Sequence, residues 1–460
     1  MSTRVAGAES PLVRSKDDLV AWIAAGEKPR HQWRIGTEHE KFVFYTENRT
    51  PVPYGGDRGI RALMEGMVAC CRWVPIMEGD HIIALRRPEG EIGGTISLEP
   101  GGQFELSGAP LETLHETAAE TEAHLYEVLR VGERLGIGFL GVGFSPKWTL
   151  AETPRMPKER YGVMTRYMPQ VGSRGLDMMY RTATIQVNLD FATESDMVQK
   201  LRVSLALQPI ATALFASSPF TEGKPNGFKS MRSEVWRDTD PGRTGLLPFV
   251  FEPGMGYEAY VDYALNVPMY FVYRDGRYID VAGRSFKDFM AGRLPGLEGV
   301  FPTLDDWSDH LTTLFPEVRL KRFLEMRGAD GGRWGRIVAL SAFWVGLLYD
   351  DTALAGAWDL VNDWTREERD ALRHDVPRLA LETRFRNRTV RDVAAELLTL
   401  SRIGLRNRCR KDQLGQDESV YLAPLQDAVA RGKTCADELL DRYNGRWGGN
   451  IDLLFKEFSF

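Results

Sequence analysis

The clearest pattern in the chain is an alternation of polar and apolar residues in four short segments. Residues 182–191 carry a polar side chain at every even position and an apolar one at every odd position. Side chains two apart in a strand share a face, so this pattern predicts a strand with one packed face and one polar face. Residues 33–45, 97–107 and 323–328 repeat the pattern in part. Together they predict an antiparallel sheet whose polar face is continuous across strands.

The predicted polar faces carry mostly acids and amides: Glu38, Glu40, Gln103, Glu105, Gln186, Asn188, Asp190 and Glu325, with Arg327 beside them. Glu38 and Glu40 are about 6–7 Å apart in an extended strand and repel each other unless a cation lies between them or one is protonated. Solvated strands would explain any one segment, but a solvated face usually contains lysine, threonine and serine as well. The combined pattern therefore favours a cleft that binds a hard divalent ion, Mg²⁺ or Mn²⁺.

Helical periodicity occupies much of the remaining chain. Residues 16–26, 112–135 and 197–215 show apolar residues at helical spacing. Beyond about residue 350, three helix-start signatures begin at Thr365, Thr389 and Thr434. We therefore predict an α+β fold with a catalytic domain over residues 1–350 and a helical C-terminal subdomain over residues 351–460 that packs on it.

Nucleotide-binding loops of the common kinds are missing from the sequence. The run 136–141 matches G-x-G-x-x-G, but it follows a predicted helix and opens a strand, the reverse of the dinucleotide-binding order. It is more typical of a tight helix-to-strand turn. No G-x-x-x-x-G-K-[ST] motif occurs, so any ATP is not bound by a Walker loop.

The amino-acid composition argues against some classes of function. The 460 residues are 43% hydrophobic and 27% charged, with a net charge of -6, which argues against a nucleic-acid partner. No run approaches 18 apolar residues, so we expect no membrane span. Neighbouring cysteines such as Cys70 and Cys71 rarely bond each other, and Cys409 and Cys435 have no metal-type spacing. We therefore expect reduced thiols and a cytoplasmic location.

Arginines in two segments supply a positive counterpart to the acids. Arg232, Arg237 and Arg243 lie with Trp236 in the long Gly- and Pro-rich stretch 219–256, which we expect to be an active-site loop. A second basic segment reads PKERY over residues 157–161. The planar guanidinium group matches carboxylates and phosphates. Acids that bind Mg²⁺ and arginines that bind anions indicate ATP-driven phosphoryl transfer.

Longer motifs resemble the plant-type glutamate–cysteine ligases and their bacterial relatives. The resemblance runs from about residue 16 to the C-terminus and includes the stretches WRIGTEHEKF, SLEPGGQFELSGAPLETLH, GLDMMYRTATIQVNLDF, YVDYALNVPMYF and HLTTLFPEVRLKRFLEMRGADGG. It implies a glutamine synthetase-like fold, which has a curved antiparallel sheet with a polar concave face packed by helices. It also implies formation of γ-glutamylcysteine, the first intermediate of glutathione synthesis, from L-glutamate, L-cysteine and ATP.

The resemblance also implies roles for individual residues. ATP would phosphorylate the γ-carboxylate of glutamate, and the cysteine amine would then displace phosphate. Glu38, Glu40, Glu105, Glu325 and Gln186 would be the ligands of Mg²⁺ or Mn²⁺. Arg327 and Glu38 would be catalytic, Arg327 and Asn188 would contact the nucleotide, Arg232 and Arg160 would bind glutamate, and Trp236, Tyr161 and Tyr270 would shape the cysteine pocket.

Other functions stay open at this point. The amine acceptor could be an amino acid other than cysteine, since an aromatic pocket does not define a thiol. A guanidino phosphotransferase uses a polar-faced sheet of the same type, although no cysteine here lies in a polar strand. We expect a monomer or weak homodimer acting on small molecules. The plant enzymes carry an organelle-targeting leader that is not seen here, which supports the expected cytoplasmic location.

Overall fold

The structure, a computed structural model, describes residues 10–91 and 93–460. Its strands are β1 (Ile35–Tyr45), β2 (Val74–Glu78), β3 (His81–Arg86), β4 (Thr95–Leu98), β5 (Phe104–Ser107), β6 (Ile137–Leu140), β7 (Thr184–Leu189), β8 (Phe220–Thr221), β9 (Lys224–Pro225), β10 (Thr244–Gly245), β11 (Phe271–Arg274), β12 (Arg277–Asp280), β13 (Phe315–Pro316), β14 (Val318–Leu320), β15 (Leu324–Asp330), β16 (Arg384–Phe385) and β17 (Arg388–Thr389). Nine of them form one antiparallel sheet in the order β14-β15-β7-β1-β5-β4-β3-β2, with β6 paired to β1. The predicted antiparallel sheet and α+β class are confirmed.

The helices are α1 (Lys16–Ala24), α2 (Ile60–Cys71), α3 (Leu114–Leu135), α4 (Glu159–Tyr167), α5 (Gly175–Arg181), α6 (Glu194–Phe215), α7 (Met231–Trp236), α8 (Tyr257–Asn266), α9 (Phe286–Met290), α10 (Leu304–Thr312), α11 (Trp334–Leu348), α12 (Asp351–Val361), α13 (Arg366–Leu379), α14 (Val390–Asn407), α15 (Ala423–Arg431), α16 (Cys435–Asn444) and α17 (Asp452–Glu457). Short 3-10 turns occur at Arg30–Gln32, Met168–Gln170, Pro248–Phe251, Ala380–Glu382 and Glu418–Leu422. In the part of the chain described, no single helix is long and apolar enough to cross a membrane, although α11 and α12, whose axes meet at 89°, pass that test together.

One face of the sheet is covered by helices. Ile185, Val187 and Leu189 of β7 are completely buried in a cluster with side chains of α6 and α11. Burial of these β-branched and leucine side chains removes apolar surface from water and fixes the register of β7, because a one-residue slip would expose all of them. The opposite face of β7 is thereby free to carry polar groups.

Helix ends follow the sequence signals. Thr113 caps α3 through the Glu116 backbone N–H, and Gly136 ends the helix in the left-handed region at φ 67° before β6. The G-x-G-x-x-G run is therefore the predicted helix-to-strand turn. Capping boxes also begin α13, α14 and α16 at Thr365, Thr389 and Thr434, as predicted.

The C-terminal helices share a hydrophobic core with the sheet. Val390, Leu397 and Leu425 belong to the same buried cluster as β7 and α11. Phe44 of β1 packs against Phe455 of α17, with ring centroids 5.0 Å apart. The C-terminal segment is thus helical and in direct contact with the sheet, while the division into domains at residue 350 stays a prediction.

Two local expectations are wrong. The structure joins Cys70 and Cys71 in a disulfide at the end of α2, where the chain leaves the helix through Arg72 at φ 60°. The adjacent cysteines were expected to stay reduced because such pairs rarely bond.

The stretch 219–256 is also not a plain loop, since Arg232 and Trp236 lie on helix α7. Ser230 caps this helix by accepting from the Ser233 backbone N–H.

Candidate active site

Strand pairing places the predicted acids side by side on the open face of the sheet. Glu40 of β1 is directly opposite Glu105 of β5, and Glu38 is opposite Gln186 of β7. Directly opposed residues in antiparallel strands point to the same side of the sheet. The polar faces predicted strand by strand therefore form one surface.

This surface is the floor of a cavity of about 110 Å³. Its walls include four acids and four arginines, which are Glu38, Glu40, Glu99, Glu105, Arg160, Arg232, Arg319 and Arg327. The other predicted residues that line it are Gln186, Tyr161 and Trp236. An apolar side is formed mainly by Met164, Met178, Met179 and Phe315. The cavity thus combines hard oxygen donors, anion-binding groups and a small apolar wall.

Burial raises the pKa of three acids of this cavity, Glu40, Glu99 and Glu105, above that of an ordinary carboxyl group. Burial, followed by the negative charge of Glu99, raises the pKa of Glu40 to about 8, although the Thr184 backbone N–H donates to it at 3.0 Å. Burial and the charges of Glu99, Glu38 and Glu40 raise the pKa of Glu105 well above its usual value. Repulsion of this kind disappears when a cation enters the cluster. The site is therefore built to favour bound cations.

Glu38 is positioned by amides. It accepts hydrogen bonds from Asn188 Nδ2 at 2.8 Å and from Gln186 Nε2 at 3.4 Å, and it is 7% exposed. Asn188 itself is not among the described residues that line the cavity, and its contact with the nucleotide stays a prediction. Its amide orients Glu38.

Glu325 differs from the other acids. Its carboxylate accepts from Arg319 Nη2 at 2.7 Å and Lys321 Nζ at 2.9 Å, and it also contacts Arg327 Nη1. Burial would raise its pKa, but these three cations outweigh burial and hold the pKa well below the usual value. Glu325 has no exposed surface and three cationic partners, and its role as a metal ligand stays a prediction.

Helix α7 brings Arg232 and Trp236 to one side of the cavity, because residues four apart lie on the same helix face. Arg232 is 3% exposed and its Nη2 donates to the Arg327 backbone carbonyl at 2.7 Å. Its Nε and the Trp236 Nε1 are buried and have no hydrogen-bond partner among the described residues. Buried donors without partners are costly, so these two point to an acceptor-bearing ligand.

Helix α4 supplies a second unit of the same kind. Arg160, Tyr161 and Met164 all line the cavity from its first turns. Arg160 Nε is buried and unpartnered within residues 10–91 and 93–460. The Tyr161 hydroxyl donates to the Leu98 carbonyl at 2.7 Å, so this ring has a fixed position. An unused guanidinium N–H beside a fixed apolar wall can bind an amino acid. The guanidinium then binds the carboxylate, and the wall contacts the side chain.

Tyr270 is not among the described residues that line the cavity, and its role in the cysteine pocket stays a prediction. Its hydroxyl donates to Met168 Sδ at 3.4 Å and its ring lies 3.9 Å from the Arg243 guanidinium carbon. Arg243 is fully buried and pairs with Asp240 at 2.6 Å, so it also takes no part in the site. Both side chains point into the core because neighbouring elements pack over them.

Sequence reasoning missed several lining residues. Glu99 follows β4 and is turned into the cavity by the Pro-Gly-Gly segment, in which Gly102 adopts φ 81°. Arg319 lies directly opposite Glu325 on β14. The alternation of Glu317, Arg319 and Lys321 was a signal that could have identified this polar strand. No sequence pattern predicted Met178 or Met179, which reach the site from α5.

No group of three acids, histidines or cysteines in the described part of the chain is already arranged around a common metal position. The donor set is nevertheless of the right chemistry for Mg²⁺, which prefers carboxylate and amide oxygens and retains several waters. Glu38, Glu40, Glu105 and Gln186 provide such oxygens in one cavity. The mutual repulsion of the three glutamates is the observation that fits a cation here, while the Gln186 Oε1 accepts from Arg327 Nη1.

Comparison with known proteins agrees with this site. Residues 34–457 match the family model of glutamate-cysteine ligase family 2. The chain is 55% identical over 453 residues to the chloroplastic glutamate–cysteine ligase of Nicotiana tabacum, covering 98% of this chain and 84% of that protein. It is equally similar, at 55% over 446 residues, to chloroplastic glutamate–cysteine ligase B of Oryza sativa subsp. japonica, covering 97% and 87%.

A solved structure supports the fold at much lower identity. The crystal structure of a glutamate–cysteine ligase from Francisella tularensis in complex with AMP superposes with a TM-score of 0.54 at 11% identity, covering 93% of this chain and 89% of that one. The names of the plant relatives contradict the cytoplasmic location predicted from the sequence, because they place those ligases in the chloroplast. The match along nearly the whole chain assigns this protein to glutamate–cysteine ligase family 2.

Proposed function

We propose that the protein is an ATP-dependent ligase that joins the γ-carboxylate of L-glutamate to the amine of L-cysteine, the first step of glutathione synthesis. The single observation that carries this proposal is the cavity itself, where an acid floor faces unpartnered arginine donors. Family membership supports the same reaction and leaves no reason to retain the guanidino phosphotransferase alternative. The other alternative, a different amine acceptor, is an outcome of the experiment below.

Glutamate is expected beside helix α7. Arg232 is buried, has an unpartnered Nε and donates to the carbonyl of Arg327, so a carboxylate bound by Arg232 lies close to Arg327. The γ-carboxylate must meet the phosphoryl group of ATP, and Arg327 is the cation best placed to stabilise charge on that group. Arg319 and Lys321 hold Arg327's partner Glu325, which keeps the arginine oriented.

Divalent ions, Mg²⁺ or Mn²⁺, are expected to bind to Glu38, Glu40 and Glu105, with Gln186 as a weaker oxygen donor. When bound, such ions neutralise charge between the triphosphate and the glutamate carboxylate. Asn188 contributes by orienting Glu38. The protein side chains thereby bring two anions together and hold them in line for phosphoryl transfer.

The acceptor amino acid is expected at helix α4. Arg160, which the family resemblance assigned to glutamate, is here assigned to the acceptor's carboxylate, because it lies on α4 and not beside Arg232 on α7. Glu99 lies near that arginine and matches the acceptor's ammonium group. Tyr161, Met164 and Trp236 surround its side chain. The amine loses a proton and attacks the acyl carbon of γ-glutamyl phosphate. A C–N bond forms as the C–O bond to phosphate breaks, which yields the amide and inorganic phosphate. No covalent bond to the protein is needed.

The wider organisation is proposed as well. The substrates are small molecules, the catalytic domain covers residues 1–350, and the helical subdomain covers residues 351–460. We propose a monomer or weak homodimer without nucleic-acid or membrane partners.

Phosphate release from ATP tests the proposal. The purified protein is assayed with ATP and Mg²⁺ together with glutamate alone, cysteine alone, both, or glutamate with 2-aminobutyrate, which replaces the thiol by a methyl group. The ligase predicts phosphate release and amide formation only with glutamate plus an amine acceptor, and faster with cysteine. Release without glutamate would contradict the proposal, and equal rates with both acceptors would point to a broader acceptor class.

A further inference from the structure

Strand β15 contains a β-bulge at the position that carries Arg327. The pairing with β7 shifts by one residue between Met326 and Ala329, so that Arg327 and Gly328 together lie opposite the single residue Gln186. Bulges of this kind bend a strand and change the direction of a side chain, and they are common next to active sites. The side chain at this bulge is Arg327, which lines the acid-lined cavity.

Helix α6 holds the second bulge residue from the helix-covered face of the sheet. The Gly328 backbone N–H donates to Gln208 Oε1 at 2.9 Å, and the Gly328 carbonyl accepts from Thr212 Oγ1, also at 2.9 Å. Gln208 and Thr212 are four residues apart on α6 and therefore lie on one face of the helix. Both side chains are buried. The two polar groups of the Gly328 backbone are thus bound by two side chains of one helix.

The contact requires glycine at position 328. A Cβ atom there would overlap with Gln208 Oε1. A glycine inside a strand weakens the strand, and a buried polar side chain is costly unless it is hydrogen-bonded. Gly328 allows the close approach, and Gln208 and Thr212 find their hydrogen-bond partners in its backbone. The three residues therefore form one unit that fixes the position of the bulge.

The same bulge contacts other groups of the site through Arg327. Arg232 Nη2 donates to the Arg327 carbonyl at 2.7 Å, and the Arg327 N–H donates to the Glu317 carbonyl at 3.1 Å. The guanidinium group of Arg327 donates to Gln186 and contacts Glu325. A shift of the bulge along β7 would therefore move Arg327 away from its partners on both sides.

We propose that Gln208 and Thr212 are positioning residues for phosphoryl transfer. This inference rests on the proposed function, in which Arg327 stabilises charge on the transferred phosphoryl group. Neither residue is among the described residues that line the cavity, so both act through the Gly328 backbone rather than on a substrate. They keep the bulge in register and the arginine directed at the phosphoryl group. A displacement of about 1 Å at such a group can cost about 10²-fold in rate.

A double-mutant cycle with Arg327 tests the inference. Gln208→Met keeps the approximate size of the side chain and removes the acceptor for the Gly328 N–H, so kcat for amide formation should fall about tenfold or more. The Michaelis constant for cysteine should change less than about twofold, because the residues expected to bind cysteine lie mainly on α4. In an Arg327→Lys background, Gln208→Met should lower kcat less than about twofold, since the group that it positions is already altered.

Thr212 gives a second, milder test. Thr212→Val keeps the shape of the side chain and removes the hydroxyl that donates to the Gly328 carbonyl, so kcat should fall about threefold. Thr212→Ser retains the hydroxyl and should keep kcat within about twofold of wild type. Thermal unfolding of each variant separates a loss of folded protein from a loss of rate.

Gln199→Met is the matched control. Gln199 is partly exposed and lies nine residues before Gln208 on α6, which places it on the opposite face of the helix. It should behave as wild type. Wild-type kcat in Gln208→Met, or the same fold loss with Arg327 and with Lys at that position, would overturn the inference. If Gln208→Met fails to fold, the cycle is made with Thr212→Val, and an equal loss in both backgrounds overturns it. Absence of amide formation in wild type would instead contradict the proposed function.

Discussion

Two groups of glutamates on the same face of one sheet have opposite electrostatic surroundings. Glu40 and Glu105 lie opposite each other with no cation in hydrogen-bond contact among the described residues, and burial raises the pKa of both. Glu325, two strands away from Glu40, contacts three cations and its pKa is held well below the usual value. Glu40 and Glu105 therefore lack a cationic side chain in hydrogen-bond contact among the described residues, whereas Glu325 has three.

This difference teaches which acids are free to bind a ligand. A carboxylate that is enclosed by arginine and lysine contributes to the structure and orients those cations, whereas one that faces other carboxylates gains from an added cation. Alternation along a strand cannot separate the two cases, because both give a glutamate on the polar face. The neighbouring strand determines which case applies, because β14 places Arg319 directly opposite Glu325, to which it donates.

The largest effect is expected for the first group. Glu105→Gln keeps the shape of the side chain but removes one of the charges that attract divalent ions, so turnover should fall about 10³-fold. The melting temperature should stay the same or rise, since a buried, repelling carboxylate is gone. Steady-state amide formation and thermal unfolding measure the two effects. A Glu105→Gln or Glu38→Gln protein that is stable and fully active would contradict the metal assignment.

Glu325→Gln should sharpen the contrast by affecting stability as well as activity. Arg319 and Lys321 would remain buried without their carboxylate, which is expected to lower the free energy of unfolding by about 3–5 kcal/mol. Urea unfolding measures the change. The control is Glu396→Gln, which breaks an exposed ion pair with Arg388 and should cost less than about 1 kcal/mol. If both variants lose the same stability, the distinction between the two groups of acids fails.

Arg232→Ala tests whether the arginine beside the first group of glutamates binds the substrate glutamate. Loss of a buried charged donor should raise the Michaelis constant for glutamate about 30-fold, while that for ATP changes less than about threefold. Initial rates at varied glutamate and ATP give both constants. Arg237→Ala is a suitable control, because Arg237 follows α7 and pairs with Glu234 rather than lining the cavity. A larger change for ATP would place Arg232 at the nucleotide.

The smallest expected effect is a dependence of stability on pH. The folded pKa of Glu40 is about 8, above its value in the unfolded chain, so the folded state binds more protons between about pH 4.5 and 8. Stability of the metal-free protein should therefore fall as pH rises through that window. Thermal unfolding at pH 6 and 8.5 should show a smaller loss in Glu40→Gln or with added Mg²⁺. An identical slope in all three would contradict this origin.

Much of the site could be predicted from sequence because strand alternation is a local property. Glu105 and Gln186 alternate with buried apolar neighbours, and Glu38 and Glu40 alternate with Thr37, His39 and Lys41, which are buried on the other face of β1. The same reasoning could not distinguish Glu325, whose partners come from another strand.

Residues outside regular alternation were harder to predict. Glu99 enters the cavity through a turn that depends on Gly102 in the left-handed region, and Met178 enters on a helix of seven residues. Tyr270 does not line the cavity, and Arg243, from another segment of the chain, packs on its ring. The fold class followed from patterns along the chain, whereas these side chains depend on packing between elements far apart in sequence.

The residues expected to select the acceptor amino acid lie on helices, whereas those expected to carry the chemistry lie on the sheet. The helical residues are Arg160 and Met164 on α4, Met178 on α5 and Trp236 on α7. No strand of the sheet needs to change for those helices to bind a bulkier or more polar acceptor amino acid. Laboratory evolution of a new acceptor specificity could therefore be confined to a few codons. The charged residues of the sheet, which activate glutamate, would stay unchanged.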